Sequence, residues 1–303
     1  PSLWSAARPV VAAAACDATL RAMPPLRASG VSPDAMRLRQ DGAMTGPATD
    51  FRLYHSNALD VLAGILAEVL REPAPGQSLL APEVVLIPQV AMRRWLQATL
   101  AAEHGVAANI EFLTPGEVVG RALAANPPAG VEPGGVRDEL DAVALRWHLY
   151  AALTDRAVLA EPALAAIAAH VAGDDPLRAW SLAGELAGVF EKYQAWRRDW
   201  LLRWEAGADP DDPQAVLWRE VAAGRAHRAR RIQDYLARFG GRDGAGALPA
   251  GLPPRLFAFA TLNVSPDVLR VLATQARTGA LHFYLPTPTR AYWGDLQALG
   301  ARL

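Results

Sequence analysis

The sequence predicts an α/β fold. It reads as a parallel-sheet framework of the kind nucleotide-driven motors use, without an ATP site and interrupted by a large helical insertion. Three observations predict this. Strand–helix alternation opens at Phe51 and runs to residue 116. Helical periodicity dominates from 117 to 250. Strand–helix–strand alternation then returns and fills 251–303, where the pattern is cut short. The expected layout is therefore an N-terminal extension over 1–50, disordered or non-native, then an α/β domain whose parts (51–116 and 251–303) flank the insertion (117–250).

Residues 51–70 (F-R-L-Y-H-S-N-A-L-D-V-L-A-G-I-L-A-E-V-L) read as a short strand, a tight loop and an amphipathic helix. A motor would place its phosphate loop here. Such a loop needs glycines so that backbone N–H groups can cradle phosphates, then a lysine and a Ser/Thr. This loop reads His55-Ser56-Asn57, and the chain's one lysine is Lys192, in a predicted helix. Ser56 or Asn57 is expected to cap the following helix. Glu83–Pro88 (E-V-V-L-I-P) is a continuous apolar strand, as in a parallel sheet buried on both faces. Met92–Ala102 is a helix with Trp95, Leu96 and Leu100 on one side, and Asn109–Phe112 a third short strand.

The Pro- and Gly-rich Asn126–Gly135 marks a boundary. Leu140, Val143, Ala144, Trp147 and Tyr150 follow helical spacing, as do Leu182, Leu186, Val189, Phe190 and Tyr193. Val216–Phe239 is a long helical stretch that Gly224 weakens. After a second Gly/Pro linker, Leu256–Ala260 is a strand, Pro266–Thr278 a helix capped by Ser265, and Leu281–Leu285 a strand. A motor's acidic pair would follow Leu256–Ala260, to hold Mg²⁺ and orient water. The sequence there, R-L-F-A-F-A-T-L-N, has no acid before Asp267.

Composition narrows the function. A net charge of −1 supplies no global field for nucleic acid, so any contact must use local patches. One cysteine, Cys16, allows no internal disulfide, and a reducing, cytoplasmic setting is expected. No apolar run approaches the roughly 18 residues of a membrane span. Pro9–Cys16 faintly suggests a lipoprotein signal, but a non-native extension with Met44 as the natural start is the simpler reading. None of the six histidines has a histidine or cysteine at metal-ligand spacing, so no metal or other cofactor is expected.

Four segments carry a family resemblance. They are Y-H-S-N-x-L-D-V-L at 54–62, M-x-x-W-L-Q-x-x-L with G-x-A-A-N-I at 92–110, F-E-K-Y-x-x-x-R-x-D-W-L-x-x-W-E at 190–205, and Y-W-G-D at 292–295. As a set they resemble the N-terminal part of the RecC family, the gamma subunit of exodeoxyribonuclease V. The resemblance implies a P-loop-helicase-like domain that has lost its ATPase. It implies a heterotrimer with RecB-like and RecD-like subunits, which carry the ATPase and nuclease sites. It also implies a tunnel in which unwound DNA is scanned for Chi. The chain is then a fragment of a non-catalytic, DNA-binding subunit. An active nucleotide-binding enzyme on the same framework and a helical protein-interaction module without DNA contact are the alternatives.

The candidate DNA-contacting residues are Arg93, Arg94, Glu191, Arg197 and Arg228. Arginine beside an aromatic ring, as at Arg93-Arg94-Trp95 and Trp196-Arg197-Arg198, suits a single-strand groove where phosphates meet cations and bases stack. Arg225–Arg231 (R-A-H-R-A-R-R) reads either as a solvated face or as a phosphate contact. Trp95, Trp200, Trp204 and Trp293 are expected to be structural. The resemblance puts the segments 111–120 and 186–193 and the pair His227-Arg228 along the scanning tunnel. Thr114, Gly120 and Gly188 stand there in place of a larger apolar residue, an aromatic and an acid, which implies an altered Chi preference.

Overall fold

A computed structural model describes residues 50–287 apart from 75–76, 79, 129–137, 174, 176 and 241–246. The expected extension, Cys16, Met44, Trp293 and the Y-W-G-D segment lie outside the described residues. Five strands form one sheet: β1 (Phe51–Ser56), β2 (Glu83–Leu86), β3 (Ile110–Leu113), β4 (Arg255–Phe259) and β5 (Ala280–Pro286). All pair in parallel, in the order β1-β5-β4-β2-β3.

Helices cover both faces. On one lie α1 (Leu59–Leu70) and α2 (Val90–His104), whose Leu62, Leu66, Leu96 and Leu100 meet Val85, Phe257, Phe259 and Tyr284. On the other lie α3 (Pro115–Ala125), α10 (Arg228–Phe239) and α11 (Pro266–Ala273), packed against Val84, Leu86, Leu256 and Phe283. The steps β1→β2→β3 move one way across the sheet and β3→β4→β5 move back. Opposite directions on opposite faces are what a single right-handed crossover rule requires. Strands buried on both faces need apolar residues at successive positions, and Val84 to Ile87 and Leu256 to Phe259 supply them.

The interruption between β3 and β4 is helical, as the sequence indicates, but α3 and α10 cover the sheet. The separate core belongs to α4 (Ala142–Thr154), α5 (Arg156–Leu159), α6 (Ala165–Val171), α7 (Leu177–Trp196), α8 (Arg198–Glu205) and α9 (Pro213–Ala222). Here the expected helix faces need correction. In α4 the buried residues are Leu145, Leu149, Ala152 and Leu153, whereas Val143 and Trp147 are exposed. The helix is apolar nearly all round, so periodicity alone does not select a face. In α7 the buried stripe is Ala179, Ala183, Ala187, Phe190 and Gln194, because alanines let α4 approach closely. Leu182, Leu186 and Tyr193 pack at its margins.

The long helix expected over 216–239 is two helices. Gly224 takes φ +70 and ends α9, and His227 caps α10 through Nδ1, which accepts the Arg230 N–H at 3.4 Å. Ser265 caps α11 as expected. Neither Ser56 nor Asn57 caps α1: its N-cap is Ala58, and Ser56 Oγ accepts only the Ala58 N–H, closing the turn.

Candidate nucleic-acid interface

In an open parallel sheet, ligands bind outside the carboxyl ends of the strands, where successive connections leave to opposite faces. Here β2 and β4 are neighbours, and α2 leaves β2 for one face while α11 leaves β4 for the other. An open crevice of about 330 Å³ lies at this point. Its lining includes Thr114 and Gly116 at the start of α3, Thr261 and Asn263 after β4, and Trp196 at the end of α7.

The local chemistry differs from that of a phosphate site. At α3, Thr114 Oγ1 accepts the Glu117 N–H at 3.4 Å, and Glu117 Oε2 accepts the Thr114 N–H at 2.6 Å. These hydrogen bonds from Thr114, backbone first, hold the Glu117 carboxyl below its usual range. At α11, Ser265 caps the helix, and Asp267 in the first turn pairs with Arg198 at 3.0 Å and Arg270 at 3.2 Å. The positive ends of both helices are thus occupied by the protein's own oxygens. The Arg198–Asp267 pair also ties the helical core to the sheet.

The remaining arginine–aromatic groups stand apart. Arg93 and Arg94 are exposed on α2, and the Arg93 guanidinium lies 5.9 Å from the Phe112 ring. Trp95 is 39% exposed rather than core, with its ring 6.2 Å from Phe259 at the end of β4. On the other side, Arg197 is exposed at the α7–α8 junction, its guanidinium 5.1 Å from the Trp200 ring. Trp200 is 37% exposed, which corrects its expected place in the core, whereas Trp204 is buried. The two rings share one face of α8, 6.3 Å apart and both against Tyr193. Trp204 is further held by its Nε1–H, which reaches Asp209 Oδ2 at 2.9 Å, while Trp200 lies in the helix's first turn at the margin of the core.

Arg228 does not join these groups. It is half-buried at the start of α10, where desolvation lowers its pKa and the charges of Asp138 and Glu191 partly offset that. Glu191 itself is exposed, and His227 is wholly buried, its Nε2 2.8 Å from Glu205 Oε1. Thr261, Asn263 and Trp196 are the residues the sequence reading passed over as a group. The missing acid after β4 marked the place, but the burial of Thr261 depends on a turn that no pattern signals. No group of three or more His, Cys, Asp or Glu residues among the described residues could hold a metal ion.

These features define an open α/β protein whose strand-end crevice is lined by neutral polar groups and an indole. The chain belongs to the RecC family, since the profile of the RecC N-terminal domain matches residues 51–302. It is 28% identical over 261 residues to the RecBCD enzyme subunit RecC of Escherichia coli strain K12, covering 81% of this chain and 22% of that protein. Against the RecBCD enzyme subunit RecC of Mycolicibacterium smegmatis the identity is 28% over 258 residues, covering 82% and 22%. Against that of Mycobacterium tuberculosis strain H37Rv it is 30% over 270 residues, covering 80% and 23%. The chain spans about a fifth to a quarter of the length of the curated relatives it matches. No helix among the described residues is long and apolar enough to cross a membrane.

Proposed function

We propose that this chain is the N-terminal part of a non-catalytic DNA-handling and scaffolding subunit of a RecBCD-type helicase–nuclease. In this reading the sheet is a degenerate helicase domain and α4–α9 form its helical insertion. RecB-like and RecD-like partners supply ATP hydrolysis and nuclease chemistry. The observation that carries the proposal is what occupies the strand ends. Where a motor keeps a glycine-lysine loop and an acidic pair, this chain has His55-Ser56-Asn57 and Ala260–Asn263, and the nearby helix N-termini are closed by Glu117 and by Ser265 with Asp267. Arg93, Arg94 and Arg197 remain exposed, Arg93 and Arg197 beside rings, which suits a single strand crossing the sheet's end. The exposed Val143, Trp147 and Leu177 on α4 and α7 suit contact with a partner subunit.

Titration calorimetry of the chain with Mg-ATP is expected to show no stoichiometric heat, and binding of micromolar affinity would overturn the non-catalytic reading. In the intact complex, Arg197→Ala is expected to weaken single-strand binding and flatten its salt dependence by about one unit per lost phosphate contact. Scanning for Chi belongs to the same proposal, with altered letters. A Cβ at Gly120 or Gly188 would meet nothing within 4 Å, so the side chains expected there are replaced by open space. Thr114 is spent on capping α3. Unchanged attenuation at the octamer best known for the family would overturn the altered preference.

A further inference from the structure

The strand-end crevice suits a planar neutral group better than an anion. None of its lining residues is Lys, Arg, Asp or Glu. A phosphate there would find two helix N-termini already capped and no cation to meet it. Trp196 instead presents a broad apolar face. It is 46% exposed, and its ring stacks on no other ring among the described residues. Opposite in character is Thr261, which is 4% exposed and whose Oγ1 has no hydrogen-bond partner. Buried hydroxyls are normally satisfied. This one is held where it is by a tight turn: Ala260 adopts φ +54, unusual for a residue with a Cβ, and the Leu262 N–H donates to Ala260 O at 3.0 Å. The turn carries Leu262 to the surface and Thr261 to the crevice, with Asn263 exposed beside it.

We infer that this crevice receives one unstacked base of a single DNA strand, its face on the Trp196 ring and its polar edge bonded by Thr261 and Asn263. The inference rests on the DNA-handling reading above. Indole stacking accepts any base, because every base has a π-face. The hydroxyl and the amide each donate and accept, so they match the mixed edge of a base rather than the acceptor-only oxygens of a phosphate. Phosphates on either side of that base would be met outside the crevice, by Arg197.

Single-strand oligonucleotides binding to the complete complex provide the test. Trp196→Ala should weaken binding roughly 10-fold while leaving the salt slope unchanged, and Trp196→Phe should restore most of the loss. Thr261→Val should alter the ranking among homopolymers, and Thr261→Ser should not. A 2-aminopurine base moved stepwise along the strand, against the wild-type complex, reads the same event without any variant. One position should show the quenching of a base stacked on indole. Uniform fluorescence at every position, or a Trp196→Ala variant with unchanged affinity, would overturn the pocket. If Arg197→Ala still flattens the salt slope in that case, the DNA-handling reading survives alone. Wild-type complex without salt-dependent binding would sink both.

Discussion

The sheet and the helical core solve the same burial problem with different polar chemistry. In the helical core the buried indoles and imidazole are tied to carboxylates. Trp218 Nε1–H donates to Glu205 Oε1 at 3.0 Å, Trp204 to Asp209, and His227 lies against the same Glu205. Burial alone would raise the Glu205 pKa, but hydrogen bonds from His227, Arg230 and Trp218 outweigh it and hold the carboxyl below its usual range. In the sheet, His282 is 2% exposed with both ring nitrogens unpartnered, and the Tyr284 hydroxyl is also alone. On β5, Tyr284 and the His282 two residues before it stand on the face covered by the apolar stripe of α1. The buried charge of the sheet, Arg255, is instead paired with Glu83 at 2.6 Å and donates to the Val69 carbonyl of α1 at 3.3 Å. Helices crossing at an angle can aim side chains at one another across their ends.

The largest expected effect comes from breaking the helical side. Trp218 is fully buried, so Trp218→Ala should cost about 3–5 kcal/mol, read as a lower denaturation midpoint. Part of that loss is the hydrogen bond from the indole N–H to Glu205, which His227 and Arg230 still hold, so Trp218→Phe should recover only the packing share.

Next is the acid sensitivity of the sheet. Burial, with a smaller contribution from the Arg52 charge, pushes the His282 pKa down from 6.5 to about 4. The unfolded chain therefore takes up a proton before the folded one does. This residue's contribution is flat above pH 6.5, and stability falls as pH drops from there through 4. The full loss is about 3 kcal/mol at roughly 1.4 kcal/mol per pKa unit. His282→Leu should flatten the melting profile over that window, and an unchanged profile would show that the imidazole is hydrated.

A smaller effect is expected where the two helical systems join. Gly224 at φ +70 breaks the stretch between α9 and α10, and Gly224→Ala should cost about 1 kcal/mol by calorimetric melting. Stabilisation would mean that the break is dispensable. Smallest is Trp200→Ala, expected to cost under about 1 kcal/mol because the ring is at the surface. Its expected signature is weaker single-strand binding. A loss as large as that of Trp218→Ala would return Trp200 to the core.

The sequence by itself determined the layers. Continuous apolar runs at 84–87 and 256–259 specify doubly buried parallel strands, because no other common element buries every successive residue over so short a span. Ser265 before Pro266 specifies a helix start, and the loops after β1 and β4 carry neither the glycine-lysine pattern nor the acidic pair of a motor. Tertiary structure alone decided which faces of α4 and α7 are buried, since an all-round apolar helix presents no preferred stripe and alanines win by closeness of approach. It alone separated Trp204 from Trp200, four residues apart on one short helix, and Arg197 at the surface from Arg228 against Asp138 and Glu191. It alone assembled Trp196, Thr261 and Asn263. Their meeting depends on a left-handed alanine and on a helix end from a different core, and neither is written in the spacing of the residues along the chain.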